Sequence, residues 1–212
     1  VRTAIATGER TVSDATVFVV DDDAAIRDAL SLLISLRGLR TQVFESAGHF
    51  LDTYRSEWRG CLLADLKMPG MSGLELQAEL KARGIALPVI VLTAHGDVAA
   101  ARAALKNGAV DFLEKPVDDT VLMDVLGNAI RLDADQHTAA HARAAATERL
   151  GRLTPRERDV LRLLAQGCQL REIAQQLEIS PRTVEVYKAR MMEKLGCRTL
   201  ADVVRAGAAL GP

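Results

Sequence analysis

The chain has 212 residues, enough for one large domain or two small ones. Hydrophobic residues make up 49% and charged residues 26%, which excludes a disordered chain, and aromatics at 3% argue against a base-stacking nucleic-acid surface. The net charge of -1 names no partner, no apolar run reaches the roughly 20 residues of a membrane span, and residues 1–15 lack a signal-peptide core, so no membrane partner and a cytoplasmic location are expected.

Residues 1–15 are polar and aperiodic and read as a flexible tail. A β-branched run over 16–20 reads as a buried strand and ends in Asp21, Asp22 and Asp23. Ile26, Leu30, Leu33 and Ile34 then recur at helical spacing up to Gly38. A weaker strand over 41–44 precedes a helix over 47–58, with Phe50, Leu51 and Tyr54 on one face. The strand over 61–64 runs straight into Asp65, followed by Pro69 and two glycines. A helix over 74–83, a strand over 88–92 ending at Thr93, and a helix over 98–107 follow. A fifth strand over 110–113 ends near Lys115-Pro116, and Asp118 opens a helix that runs at least to 132. Five β–α repeats with short connections predict a parallel sheet with helices on both faces.

All five strands then point one way, and Asp21, Asp22, Asp23, Asp65, Thr93 and Lys115 gather at one sheet edge, where open α/β sheets bind ligands. Converging carboxylates repel unless a cation joins them, and hard oxygens that leave room for water suit Mg²⁺. A carboxylate beside such an ion can attack phosphorus and form an acyl phosphate, while an ammonium and a hydroxyl hold the phosphoryl oxygens. No Gly-rich nucleotide loop is present, so the donor is something other than a loop-bound nucleotide. The plainer reading makes the acids helix caps, and it is adopted for Asp23.

Asp21-Asp22, Asp65-x-x-Met68-Pro69-x-x-x-Gly73, Thr93 and Lys115-Pro116 resemble the receiver domain of two-component response regulators, over about 16–132. That resemblance implies a flavodoxin-like fold with Asp65 as phospho-acceptor. It implies Mg²⁺, with Mn²⁺ as a substitute, on Asp22, Asp65 and the backbone carbonyl of Lys67, and Asp21 joining through water. Thr93 and Lys115 would bind the phosphoryl group, Lys115 pairing with a phosphoryl oxygen or with the carboxylate, Thr93 and Phe112 would act as the switch, and the Lys115–Pro116 bond would be cis. Aspartyl-phosphate phosphatases share the Asp after a strand but need a second Asp two residues on; Lys67 stands there, so an Mg²⁺-dependent phosphatase is the weaker alternative. The chain is expected to be no enzyme, only a phospho-acceptor with at most slow self-dephosphorylation.

Residues 133–150 are rich in helix formers and predict a helical linker, either a continuation of the fifth helix or a separate one. His137 and His141 stand four apart but lack a third ligand, and read as a solvated face. The three cysteines, Cys61, Cys168 and Cys197, form no C-x-x-C and read as reduced, buried small hydrophobes.

The texture changes over 151–212. Thr154-Pro155-Arg156-Glu157 opens a helix with the stripe Val160, Leu161 and Leu164. A short helix over 170–177, a turn at Glu178-Ile179, a helix from Ser180-Pro181 to Leu195 and a last helix over 201–209 make a small four-helix domain around a helix-turn-helix. From Leu153 onward ten basic residues face seven acidic ones, a net of +3 against -1 for the whole chain, so the basic excess sits where phosphates would be met.

Leu153-Thr154-x-Arg156-Glu157, Glu172-Ile173-Ala174, Ile179-Ser180, Thr183-Val184-Glu185 and Lys194-Leu195-Gly196 resemble the LuxR-type helix-turn-helix. Together with the receiver, the chain resembles a NarL/FixJ-type response regulator, and the run 93–98 leans toward the FixJ branch. Tyr187 departs from the His common at its position. The resemblance implies that Glu185, Val186 and Ala189 face base edges and that Arg182, Thr183, Lys188 and Arg190 are candidates for phosphate contact. The expected partners are a sensor histidine kinase, a double-stranded DNA operator and, once phosphorylated, a second copy of the chain. A constitutive DNA-binding regulator with an idle receiver is the other alternative.

Overall fold

The computed structural model describes residues 15–94 and 98–208. The predicted tail, apart from Ala15, the segment 95–97 and the end of the last predicted helix lie outside the described residues. The chain divides into two compact units, Val1–His137 and Thr138–Pro212.

The first unit runs β1 (Thr16–Val20), α1 (Ala24–Leu36), β2 (Arg40–Phe44), α2 (Ala47–Thr53), β3 (Gly60–Asp65), α3 (Gly73–Ala82), β4 (Val89–Thr93), α4 (Val98–Lys106), β5 (Asp111–Glu114) and the start of α5 (Asp119–Gly151). All strand pairings are parallel, in the order β2-β1-β3-β4-β5. The order reverses between β1 and β3, which opens a crevice at their carboxyl ends. Alternation along the strands splits the core in two. Phe18, Val20, Leu62, Ala64, Val89 and Val91 face the layer with Phe44, Phe50, Leu76 and Ala104. Val17, Val19, Cys61, Leu63, Ile90 and Leu92 face Ile34, Leu122, Leu126 and Ala129. β3 is buried at all six positions, as a central strand covered on both faces must be.

Helix starts follow local chemistry. Asp23 caps α1 by accepting from the N–H groups of Ala25 and Ile26, the role expected of it. Ser72 and Glu75 form a capping box on α3. Asp118 accepts from Thr120 and Val121 at the head of α5. α2 corrects the sequence reading: it ends at Thr53, not at 58. Tyr54 turns to an extended ψ of 140°, and the chain doubles back so that Trp58 stacks on Phe18 at 4.6 Å between ring centroids. Packing one half-buried tryptophan against the aromatic core outweighs five residues of helix propensity. Of the two possibilities for 133–150, the continuation holds, because α5 is one helix of 33 residues.

The second unit holds the end of α5, then α6 (Pro155–Ala165), α7 (Leu170–Gln176), α8 (Pro181–Leu195) and α9 (Leu200–Ala208). Thr154 and Glu157 form a capping box with Pro155 at the first helical position. Glu178 takes φ 55° in the turn between α7 and α8, and Gly196 ends α8 in the left-handed conformation. Val160, Leu161, Ile173, Val184, Met191 and Val203 are fully buried together. Lys194 reaches Glu157 at 2.6 Å, tying the end of α8 to the start of α6. No helix among the described residues is long and apolar enough to cross a membrane.

Candidate functional site

Three strands deliver charge to one edge of the sheet. Asp21 follows β1, Asp65 ends β3 and Lys115 follows β5. The Lys115 ammonium bridges the two acids, 2.6 Å from Asp21 Oδ2 and 2.5 Å from Asp65 Oδ1. Asp21 is 2% exposed and Asp65 6%, so this is a nearly dry pair of anions around one cation. Burial alone would lower the Lys115 pKa, but the hydrogen bonds and charges of Asp21 and Asp65 outweigh it and hold it above the ordinary lysine value. The second oxygen of each acid is also engaged: Asp65 Oδ2 accepts the Lys67 N–H at 2.8 Å, and Asp21 Oδ1 accepts the Asp23 N–H at 3.0 Å.

Thr93 ends β4 beside β3 and is 1% exposed. Its carbonyl accepts the Lys115 N–H at 2.7 Å, which fixes the backbone from which the ammonium reaches inward. The Lys115–Pro116 bond is cis. Asp22 stands exposed beside Asp21, and Lys67 is exposed beside Asp65. Phe112, three residues before Lys115, is half-buried against the layer that holds Ala104.

Two contributors were not assigned a role from sequence. Arg27 donates from Nη1 to the Asp21 carbonyl at 2.7 Å, holding the backbone of the acid; an arginine on a helix carries no signal of that. Gly73 starts α3 against Asp65: a Cβ there would lie 2.4 Å from the Asp65 carbonyl oxygen. The signal for Gly73 was its fixed spacing after Asp65, and the cause is steric.

The donor set for a cation is carboxylate and carbonyl oxygen. Among the described residues no three His, Cys, Asp or Glu side chains gather closely enough to hold a metal ion by themselves. One or two carboxylates completed by backbone oxygen and water is the arrangement Mg²⁺ favours, and Lys115 already occupies a cation's position between two of the acids.

The second unit presents its own surface. α8 turns Val184, Met191 and Leu195 into the core, with Tyr187 half-buried against them. Arg182, Glu185, Val186 and Ala189 line one open depression on the other face, and Val186 is 44% exposed, which is high for an apolar side chain with no packing duty. Thr183 is drawn into the helix cap through a 2.8 Å contact with Ser180 Oγ. Lys188 lies elsewhere, lining a groove with Leu170, Arg171 and Cys168, and Arg190 is exposed. The candidate base-facing residues thus share one face, and the candidate phosphate contacts are spread around it. Cys61 is buried, and burial pushes its thiol up to about 12; Cys168 and Cys197 are half-buried and unbridged.

An acid-lined edge on a doubly wound sheet, joined to a helix-turn-helix, defines a class of regulator in which a chemically modifiable domain accompanies a DNA-binding one. Residues 17–127 match the response regulator receiver domain, and residues 151–206 match the bacterial regulatory proteins of the luxR family. The transcriptional regulatory protein FixJ of Azorhizobium caulinodans is 45% identical over 189 residues, covering 89% of this chain and 90% of that protein. The transcriptional regulatory protein TdiR of Thauera aromatica is 38% identical, covering 92% and 86%. The solved structure of the response regulator StyR aligns with a TM-score of 0.84 at 38% identity, covering 91% of this chain and 98% of that one. This chain belongs to the two-component response regulators of the NarL/FixJ type, a receiver followed by a LuxR-type helix-turn-helix, and its function is phosphorylation-dependent transcription regulation. Nothing in these similarities supports the phosphatase alternative.

Proposed function

We propose that Asp65 accepts a phosphoryl group from a sensor histidine kinase and that the modified chain dimerises and binds a DNA operator. The observation that carries this reading is the Lys115 ammonium held between Asp21 and Asp65 at the carboxyl edge of the sheet. A carboxylate oxygen of Asp65 attacks the phosphorus of a phosphohistidine; the P–O bond forms as the P–N bond breaks, the imidazole departs, and an acyl phosphate remains. Asp22, Asp65 and the Lys67 carbonyl would hold Mg²⁺, or Mn²⁺ in its stead, and Asp21 would assist them. When bound, the ion neutralises phosphoryl oxygens. Lys115 passes from the Asp65 carboxylate to a phosphoryl oxygen, and the Thr93 hydroxyl donates to another. Thr93 and Phe112 then shift together and bias a two-state equilibrium of the α4–β5 face, which becomes the dimer surface. Loss of the phosphoryl group from Asp65 is slow self-hydrolysis, since Lys67 supplies no general acid.

The working boundaries are a receiver over 16–132, a linker over 133–150 and a DNA-binding domain over 151–212. On α8, Glu185 accepts from cytosine N4, and Val186 and Ala189 meet thymine methyl groups. Arg182, Thr183, Lys188 and Arg190 meet phosphates. The exposure of Val186 beside Arg182, Glu185 and Ala189 supports this face as the reading face.

Sedimentation velocity with Mg²⁺, with and without beryllofluoride, tests the reading on wild type and Asp65→Asn. Wild type is expected to move from monomer to dimer and Asp65→Asn to stay monomeric. Equal behaviour of both proteins rejects Asp65 as the switch and favours an idle receiver.

A further inference from the structure

α4 is thinly held. It is built largely of alanine, its one buried residue is Ala104, and Val98 and Leu105 are exposed. Against it stands Gln77 of α3, 4% exposed. A buried glutamine brings two donors and an acceptor into the core, which is costly unless they are matched. Gln77 Nε2 donates to the Ala104 carbonyl at 3.1 Å. Gln77 Oε1 is buried and meets no donor among the described residues. The Ala104 carbonyl also accepts from the N–H groups of Asn107 at 3.1 Å and Ala109 at 3.0 Å. One oxygen therefore gathers the end of α4, the turn toward β5 and, through Gln77, helix α3.

We propose that Gln77 is a positioning residue for the switch: its amide holds α4 in the arrangement in which Lys115 and the Lys67 N–H engage both oxygens of the Asp65 carboxylate. This rests on the reading that modification of Asp65 moves the α4–β5 face. The bond is neutral, it shares the Ala104 carbonyl with two backbone N–H groups, and the other end of the same amide, Gln77 Oε1, is unmatched. The tether is therefore weak enough to break when Thr93 and Phe112 shift, yet it biases the equilibrium by the worth of one hydrogen bond, about two- to tenfold.

The test uses the full chain with Gln77→Leu and Gln77→Glu. Self-association is measured with and without beryllofluoride, together with hydrogen exchange over 98–109 and acyl-phosphate formation at Asp65 from acetyl phosphate. Unmodified Gln77→Leu is expected to self-associate about two- to tenfold more tightly than wild type and to exchange faster over 98–109 by a similar factor. Its labelling of Asp65 is expected to match wild type. Gln77→Glu is expected to behave like Gln77→Leu near pH 8, where a carboxylate cannot donate, and to return toward wild type near about pH 5.5 as the buried carboxyl protonates and donates again. A pure packing role would not produce that pH profile, and the profile decides alone if Gln77→Leu does not fold. Gln77→Leu matching wild type in self-association and exchange, with only a changed melting midpoint, overturns the inference. So does loss of Asp65 labelling, which would route the effect through the acids. A wild type that labels at Asp65 but does not associate with beryllofluoride overturns the switch reading itself and this role with it. Normal wild-type association with an unresponsive Gln77→Leu overturns the role of Gln77 alone.

Discussion

Lys115 shows how one residue carries both stability and chemistry. Its ammonium neutralises two acids that are nearly dry. Lys115→Met would leave Asp21 and Asp65 facing each other, and breaking such a pair costs roughly 3 kcal/mol. The expected outcome is a lower denaturant midpoint in chelator, with part of the loss regained in millimolar Mg²⁺. Trp58, the single tryptophan and a core neighbour of Phe18, reports it by fluorescence. No recovery with Mg²⁺ would argue against an ion at these acids. Because the folded Lys115 pKa is raised, its contribution is complete below the ordinary lysine value and is lost as pH rises through the folded one. Sequence made Asp65 and Lys115 legible, since Asp65 ends an apolar run and Lys115 follows the last strand directly before Pro116. It could not reveal that Lys115 spans both Asp21 and Asp65, 94 and 50 residues away.

At the scale of elements, α6, α7 and α9 of the second unit are held by carboxylates at their starts, and acid should undo them. In α9, the N–H groups of Arg198 and Thr199 and the Thr199 hydroxyl hold the Asp202 carboxyl down to about 2. In α6, burial would raise the Glu157 carboxyl, but the Lys194 ammonium and the Thr154 cap outweigh it and lower it. Both groups are depressed in the fold, so their stabilisation is present above about pH 4, the unfolded carboxylate value, and is lost as pH falls through the folded values. Amide NMR of the full chain should show 154–208 loosening between about pH 4 and pH 2. Lys194→Met should move that transition to higher pH, since Glu157 keeps its burial and loses its cation; an unmoved midpoint would separate the pair from the acid response. Caps of this kind were readable as Thr154-Pro155-x-Glu157. The end of α2 was not, because it is set by where Trp58 finds Phe18.

Across the whole molecule, the two units have separate cores. Leu161 is fully buried among residues of the second unit alone. Leu161→Ala should cost that unit about 2–5 kcal/mol and abolish DNA binding. Asp65 labelling and the Trp58 transition should stay as in wild type, and a parallel loss of labelling would show the units to be energetically coupled. Sequence by itself determined that there are two such units, that the first alternates strand and helix, and that acids, a hydroxyl and an amine close its strands. Periodicity, caps and turn residues act over a few positions, so they are written locally. Only the tertiary structure decided which of those groups touch. The Arg27 guanidinium on the Asp21 carbonyl, the exclusion of any Cβ at Gly73 by Asp65, the Asp133 carboxylate on the Gly60 N–H and the Gln77 amide on Ala104 all depend on elements packed side by side. A hydrogen bond joining residues 27 or 73 positions apart leaves no period in the chain, because its geometry exists only once the sheet has ordered its strands and the helices have closed over them.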